Sequence, residues 1–262
     1  LDAFCRKNKY NLTLISYFLC DLNISSTDLV PLLLIDTFMS SPLAKDKKSF
    51  FDKLLIRFHK KTSHSHRITL LSSLFIEEIE QLPVAAKSPI RLLDIGCGDM
   101  TITTIISEKG HNIEGTGVDI YPNTKDWKNY VAFDGKTLPF PDASFHVVLF
   151  SDVLHHDVEN RNRLLQEAKR VANFIIIKDH FEYGFFSRTL LQLADIIGNY
   201  GYGVSIPKRY FTQKSFQAIL ENQQLQEVKR ICPIYLYNHL PLVKYIFKGK
   251  YQFVSVIQTK TI

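Results

Sequence analysis

The sequence lacks any Cys-x-x-Cys pair. Its four cysteines, Cys5, Cys20, Cys97 and Cys232, stand far apart, which excludes a zinc knuckle and a dithiol redox motif. Reduced thiols in a cytoplasmic protein are the expectation that fits them. A membrane span needs about 20 consecutive apolar residues, and no such run is present. The longest apolar stretch, Tyr10 to Met39, is broken by Asp21, Asn23, Asp28, Pro31 and Asp36. No charged-then-apolar leader with a small-residue cleavage site is read here, so export is not expected. Internal repeats and low-complexity tracts are missing too, which argues against solenoids and tethers.

What remains is a globular composition. The chain has 262 residues, 45% of them hydrophobic and 22% charged, which rules out disorder and a small disulfide scaffold. That length suits one α/β domain with a substantial appendage. The positive charge is uneven. Lys45, Lys47, Lys48, Lys53, Arg57, Lys60, Lys61 and Arg67 outweigh Asp46 and Asp52 by the same +6 that the whole chain carries. Such a segment suits RNA, anionic headgroups or an acidic substrate. Phe51, Leu54, Leu55 and Phe58 recur beneath it at helical spacing, which favours the solvated face of a helix. No aromatic platform accompanies the charges.

Residues 1–82 are expected to form a helical region, with a turn at Ser40–Pro42 and helices from Ser49 to about Lys61 and from Ser65 to Leu82. The stripe Ile68, Leu71, Phe75, Ile79 and Leu82 gives the second helix its buried side. Pro83–Pro89 reads as a linker, and 83–262 as the main domain. Strand-like runs follow at Ile90–Ile95, Glu114–Ile120, Tyr130–Phe133, Phe145–Phe150 and Phe174–Lys178, with helices at Thr101–Lys109 and Val158–Val171. That alternation predicts βαβ units and a parallel sheet covered on both faces. Residues 180–210 then read as a Gly/Tyr-rich lid, with Gly198–Tyr210 as a hinged, aromatic-lined cover. A helix at Gln213–Asn222 and strands at Glu227–Tyr237 and Tyr251–Gln258 close the domain.

The chemistry gathers at the strand ends. Asp94-Ile95-Gly96-Cys97-Gly98-Asp99-Met100 sits where the first strand meets the first helix, and glycines there permit positive φ and close approach by a ligand. Asp119 closes the second strand, and Asp134-Gly135 follow the third. An acid at the second strand's end commonly holds ribose hydroxyls. A dinucleotide would want a third glycine and a helix N-terminus free for pyrophosphate. Here Thr101 occupies the third glycine position, and Asp94 and Asp99 flank the turn. Carboxylates repel a pyrophosphate and attract an ammonium or sulfonium, so the electrostatics favour a cationic ligand over NAD.

These residues resemble the class I S-adenosylmethionine-dependent methyltransferases, particularly their small-molecule branch called type 11. The likeness covers Ile90 to Lys178 by motif, including Leu138-Pro139-Phe140-Pro141-Asp142-Ala143-Ser144-Phe145. It implies a Rossmann-like sheet of order 3-2-1-4-5-7-6 with strand 7 antiparallel, an N-terminal helical extension and a lid after strand 5. It implies S-adenosylmethionine as cofactor and S-adenosylhomocysteine as product. The loop Asp94, Gly96, Cys97 and Gly98 would wrap the methionine part, Asp119 with Ile120 the ribose, Asp134 with Gly135 the adenine, and Ser151 would line the same cleft. Two residues depart from the family pattern. Met100 replaces a third glycine and could narrow the pocket mouth, and His146 replaces an Asp at the start of the fourth strand.

The fourth strand ends in Ser151-Asp152-Val153-Leu154-His155-His156-Asp157 and the fifth in Lys178-Asp179-His180. In the expected strand order these ends are neighbours, so His155, His156, Asp179 and His180 are the candidates for positioning or deprotonating an acceptor. One of these groups is expected to titrate near neutrality, whereas His59, His64 and His66 read as surface. His155, His156, Asp157, Asp179 and His180 also have metal-ligand chemistry. Sequence neighbours rarely face one ion, so no metal is expected.

A small-molecule acceptor, lipid-like or aromatic, is the favoured substrate. An RNA methyltransferase using residues 45–67 is the alternative, weakened because no Asn/Asp-Pro-Pro-aromatic turn follows the fourth strand. A non-catalytic cofactor-binding module and peripheral membrane contact also stay open.

Overall fold

The computed structural model describes residues 65–86, 89–122, 127–198, 206–239 and 243–259. The expected elements before residue 65, His59 and His64 included, lie outside them. Described in chain order, the elements are α1 (Ser65–Glu80), β1 (Ile90–Ile95), α2 (Thr101–Lys109), β2 (Ile113–Asp119), β3 (Tyr130–Ala132), β4 (Phe145–Ser151), α3 (Arg161–Val171), β5 (Ala172–His180), α4 (Phe185–Gly198), α5 (Gln213–Asn222), β6 (Gln226–Ile231), α6 (Val243–Ile246) and β7 (Gln252–Gln258).

The seven strands form one sheet in the order β3-β2-β1-β4-β5-β7-β6. Pairs from β3 through β5 are parallel, and β7 is antiparallel to both β5 and β6. This is the expected topology. The central strands are buried on both faces, as parallel sheets require, and β4 shows it in Val147, Val148, Leu149 and Phe150, none with exposed surface. One core joins Leu93, Ile95, Val148, Phe150 and Ile177 to Leu164, Leu165 and Ala168 of α3. The other joins Leu92, Val147, Leu149 and Ile176 to Leu71, Phe75 and Ile79 of α1. The compact unit that holds the sheet therefore begins at Ser65, ahead of the boundary read at residue 83, because Leu71, Phe75 and Ile79 of α1 pack into that second core.

Several boundaries move for physical reasons. The helix expected from Val158 starts at Arg161, since Asp157 Oδ1 accepts the Asn160 N–H (3.0 Å) and holds a turn ahead of it. The strand expected to run to Tyr237 stops at Ile231, just before Pro233, which has no N–H to give a ladder. The largest difference is α4. The apolar run after Gly184 forms a helix of 14 residues, where the glycines further on had suggested a continuous lid loop. Residues 199–205, the centre of the expected Gly198–Tyr210 cover, lie outside the described residues.

Candidate functional site

Parallel strands place their C-terminal ends on one edge, where ligands of open α/β sheets gather. On the β1–β2 side, Gly96 (φ 75°) and Gly98 (φ 55°) both lie in the left-handed region. A Cβ on Gly96 would come within 2.5 Å of Val153, whereas one on Gly98 would meet nothing within 4 Å. Gly98 thus leaves a cradle open to a ligand. Its N–H donates to Asp119 Oδ2 (2.9 Å), and the Tyr121 N–H donates to Asp119 Oδ1 (3.1 Å). Asp119 holds the loop and keeps further lone pairs for a ligand.

Asp94 is buried beneath this loop. Thr103 donates its hydroxyl to Asp94 Oδ2 (2.6 Å), while Oδ1 is buried with no partner. Burial pushes its carboxyl up to about 7, Thr103 opposes that shift, and Asp119 adds to it. Burial and nearby Asp94 likewise push the Cys97 thiol well above its usual range, so Cys97 packs as an apolar side chain. Asp134 is exposed and accepts the N–H groups of Lys136 and Thr137 at 2.8 Å each, which hold its carboxyl below the ordinary value. Gly135 (φ 75°) is buried behind it, beside an exposed Ile120. Ser151 Oγ is buried without a partner at the end of β4.

Both family departures prove to be packing features. Met100 does not narrow the pocket mouth. It is fully buried in a left-handed conformation (φ 68°), and its sulfur fills the space above Gly117, where a Cβ would lie 2.1 Å away. His146 is buried and accepts the Arg91 N–H at Nδ1 (2.9 Å).

On the β4–β5 side the structure brings His155, Asp179 and His180 together. His155 Nδ1 lies 2.7 Å from Asp179 Oδ1, and both side chains have no exposure. Its Nε2 lies 3.5 Å from Asp195 Oδ2 of α4. Burial works against a charged imidazole, but the Asp179 and Asp195 carboxylates outweigh it and raise the His155 pKa. His155 is therefore an imidazolium held by two acids. His156 packs against it with ring centroids 4.0 Å apart and the rings tilted by 43°.

His180 differs. Burial and nearby Lys178 lower its pKa despite Asp152, so its ring is neutral at pH 7. Its Nδ1 is buried without a hydrogen bond, 3.3 Å from Asp152 Oδ1 and 3.7 Å from Asp179 Oδ1. The Asp179 carboxylate also accepts the His180 N–H (2.6 Å), and Asp179 Oδ2 has no partner.

Four further groups complete this network, and motif reasoning singled out none of them as site residues. Asp152 accepts from Lys178 Nζ (2.5 Å) and from Arg67. Burial alone would raise its carboxyl, but Lys178, His180 and Arg67 hold it far below the usual range. Lys178 is wholly buried, and burial lowers its pKa against the pull of Asp152. Arg67, read with the basic surface segment, is instead committed to Asp152, whereas His66 is exposed and stacks on His239. Tyr210 donates its hydroxyl to Asp195 (2.5 Å). The only sequence signal was an unpaired Lys inside an apolar strand.

Two groups of donors here have metal-ligand spacing: Asp152, His155, Asp179 and His180, and His155, His156 and Asp195. Sequence neighbours do converge, contrary to expectation. Lys178 and Arg67 already neutralise Asp152, and His155 is held by Asp179 and Asp195, so the local cations oppose a metal ion.

Residues 93–173 match the sequence model of a methyltransferase-domain family. No curated protein matches the chain. Among solved structures, it resembles a chain of a Haloferax volcanii complex with a methyltransferase activator (13% identity, 80% of this chain and 94% of that one, TM-score 0.54). A Pyrococcus horikoshii protein is similar too (16% identity, 76% and 92%, TM-score 0.54). So is the CurJ carbon methyltransferase (17% identity, 74% and 54%, TM-score 0.50). At these identities the structures establish the fold. With the family match over residues 93–173 and the 3-2-1-4-5-7-6 sheet, they lead to one conclusion: the chain has the class I methyltransferase fold, and S-adenosylmethionine is the cofactor that the matched domain implies.

Proposed function

We propose that the chain methylates a small-molecule acceptor held between the ends of β4 and β5, beneath α4. One observation carries this reading. The open cradle at Gly98 with buried Asp94 below it, and the His155–Asp179–His180 cluster, lie on one edge of one sheet. The residues present fit the cofactor. Asp94 has an unpartnered buried oxygen that suits an ammonium, Asp119 has lone pairs for ribose hydroxyls, and Gly98 keeps the approach clear. When bound, S-adenosylmethionine supplies a methyl group activated by its sulfonium.

The protein's part is alignment, exclusion of water and proton removal. His180 is neutral, and its Nδ1 faces the Asp152 and Asp179 carboxylates and so carries the ring hydrogen, which leaves Nε2 to take the acceptor's proton. Asp179 and Asp152 stabilise the imidazolium that results. His155 acts as a positioning residue, fixing Asp179 from one side and Asp195 of α4 from the other. Tyr210 tightens that link through Asp195. A crystal structure with S-adenosylhomocysteine tests the placement. The sulfur should lie on the His180 side of Gly98, within about 10 Å of the His180 Nε2, leaving room for an acceptor in hydrogen-bond reach of both. A sulfur facing away from the β4 and β5 ends would end the assignment.

A further inference from the structure

The inner side of α4 carries Asp195 and packs Leu191 into the protein. Its outer side is different. Phe185 is 53% exposed, Phe186 57% and Leu193 48%, and Thr189 is the other exposed residue between them. No charge stands on this face. Apolar side chains turned outward on a helix that covers a polar cluster mark a surface for a partner.

The neighbouring surface says what kind of partner. From Val228 to Ile262 the sequence has six Lys or Arg residues and no acid. Because β6 runs parallel to β5, the connection from β6 to β7 lies on the same edge as the His155–Asp179–His180 cluster. It joins the sheet beside His180, where Gln252 pairs with His180 and the Phe181 N–H donates to the Tyr251 carbonyl (3.0 Å). Lys244, Lys248 and Lys250 line a groove of about 330 Å³ with Tyr235 and Tyr245. Among the described residues none of the three makes a salt bridge, whereas Lys229 and Arg230 are paired with Glu78 and Glu227. Lys250 Nζ sits 4.8 Å from the Tyr183 ring, which leads back to Phe185, and Lys244 Nζ sits 5.0 Å from the Tyr245 ring.

We propose that this edge docks on an anionic lipid surface, with Phe185, Phe186 and Leu193 entering the acyl boundary and Lys244, Lys248 and Lys250 meeting the headgroups. Apolar side chains beside basic ones are what binding at a membrane interface requires. RNA fits less well. Lys ammoniums already cover a face of Tyr183 and Tyr245 that a base would stack on, and RNA offers nothing to exposed phenylalanines. Docking in this orientation would set the mouth under α4 against the bilayer. This goes beyond methyl transfer and does not depend on it.

The test is flotation of the full chain with vesicles of phosphatidylcholine alone and of phosphatidylcholine with phosphatidylglycerol. Binding is expected only to the second, and it should weaken as salt rises. Loss of each lysine should lower partitioning about fivefold, and the Lys244→Glu/Lys248→Glu/Lys250→Glu variant should abolish it. Phe186→Ser and Leu193→Glu should each lower it about tenfold. S-adenosylhomocysteine affinity, measured alongside, should stay unchanged in every variant, which shows that they fold and keeps the two readings separate. Equal binding to both vesicles, no binding at low salt, or binding that survives the substitutions would overturn the proposal. Retention by a single-stranded RNA oligomer that depends on the same lysines, with none by vesicles, would replace it.

Discussion

The two halves of the ligand edge are built in opposite ways. At the β1–β2 end, a short contiguous loop presents backbone, two left-handed glycines and carboxylates with few cations beside them. At the β4–β5 end, residues from four separated stretches interlock as Arg67, Asp152, Lys178, Asp179, His155 and Asp195, with nearly every charge opposed by another. The first half has unmet negative charge and waits for a cation. The second satisfies most of its own charge and leaves His180 as a neutral imidazole.

The largest expected effect lies in the second half. His180→Gln should lower turnover by about a hundred- to ten-thousandfold, the usual range for a lost general base, with S-adenosylhomocysteine affinity unchanged. A turnover that holds would move the proton to another group. Next, Asp152→Ala strands Lys178 as a buried cation, and unfolding by denaturant should show a loss of about 3–5 kcal/mol. Asp99→Ala at the exposed glycine turn, which removes only the acceptor of the Thr101 N–H (3.1 Å), should cost about 1 kcal/mol. Equal losses would erase the contrast between the halves.

Smaller effects belong to the cofactor half. Asp119→Ala removes a charged acceptor, worth about 1.5–3 kcal/mol, so cofactor affinity should fall about ten- to a hundredfold in calorimetry. The smallest effect is in pH. Below about 7 buried Asp94 holds a proton and must lose it to face an ammonium. Affinity should therefore rise about tenfold per pH unit up to about 7 and then level off, and Asp94→Asn should remove that slope. Stability of the free protein moves the other way. A carboxyl whose folded pKa is raised costs stability as pH climbs from the unfolded carboxyl value of about 4 to about 7.

The contrast also explains what could be read from sequence. β1, α2 and α5 begin and end at the expected residues, because glycine turns and the Thr212–Ser215 capping box are local signals. Asp94, Gly96, Gly98 and Asp119 were legible because their spacing along the chain is their geometry. Arg67 was not, since nothing near it in sequence names Asp152 as its partner. Asp195 and Tyr210 act through α4, whose helix was hidden by glycines that follow it. Met100 shows a subtler limit: its left-handed backbone does the work of the missing glycine, while Gly117 on another strand makes room for its side chain.

The central claim is that the acidic half of the edge is built for a cationic cofactor. Calorimetry with S-adenosylmethionine, S-adenosylhomocysteine and NAD, on the native protein and on Asp94→Asn, tests it most directly. The expected result is binding of the first two, weakened in the variant, and no heat from NAD. Binding of NAD with none of S-adenosylmethionine would contradict the account.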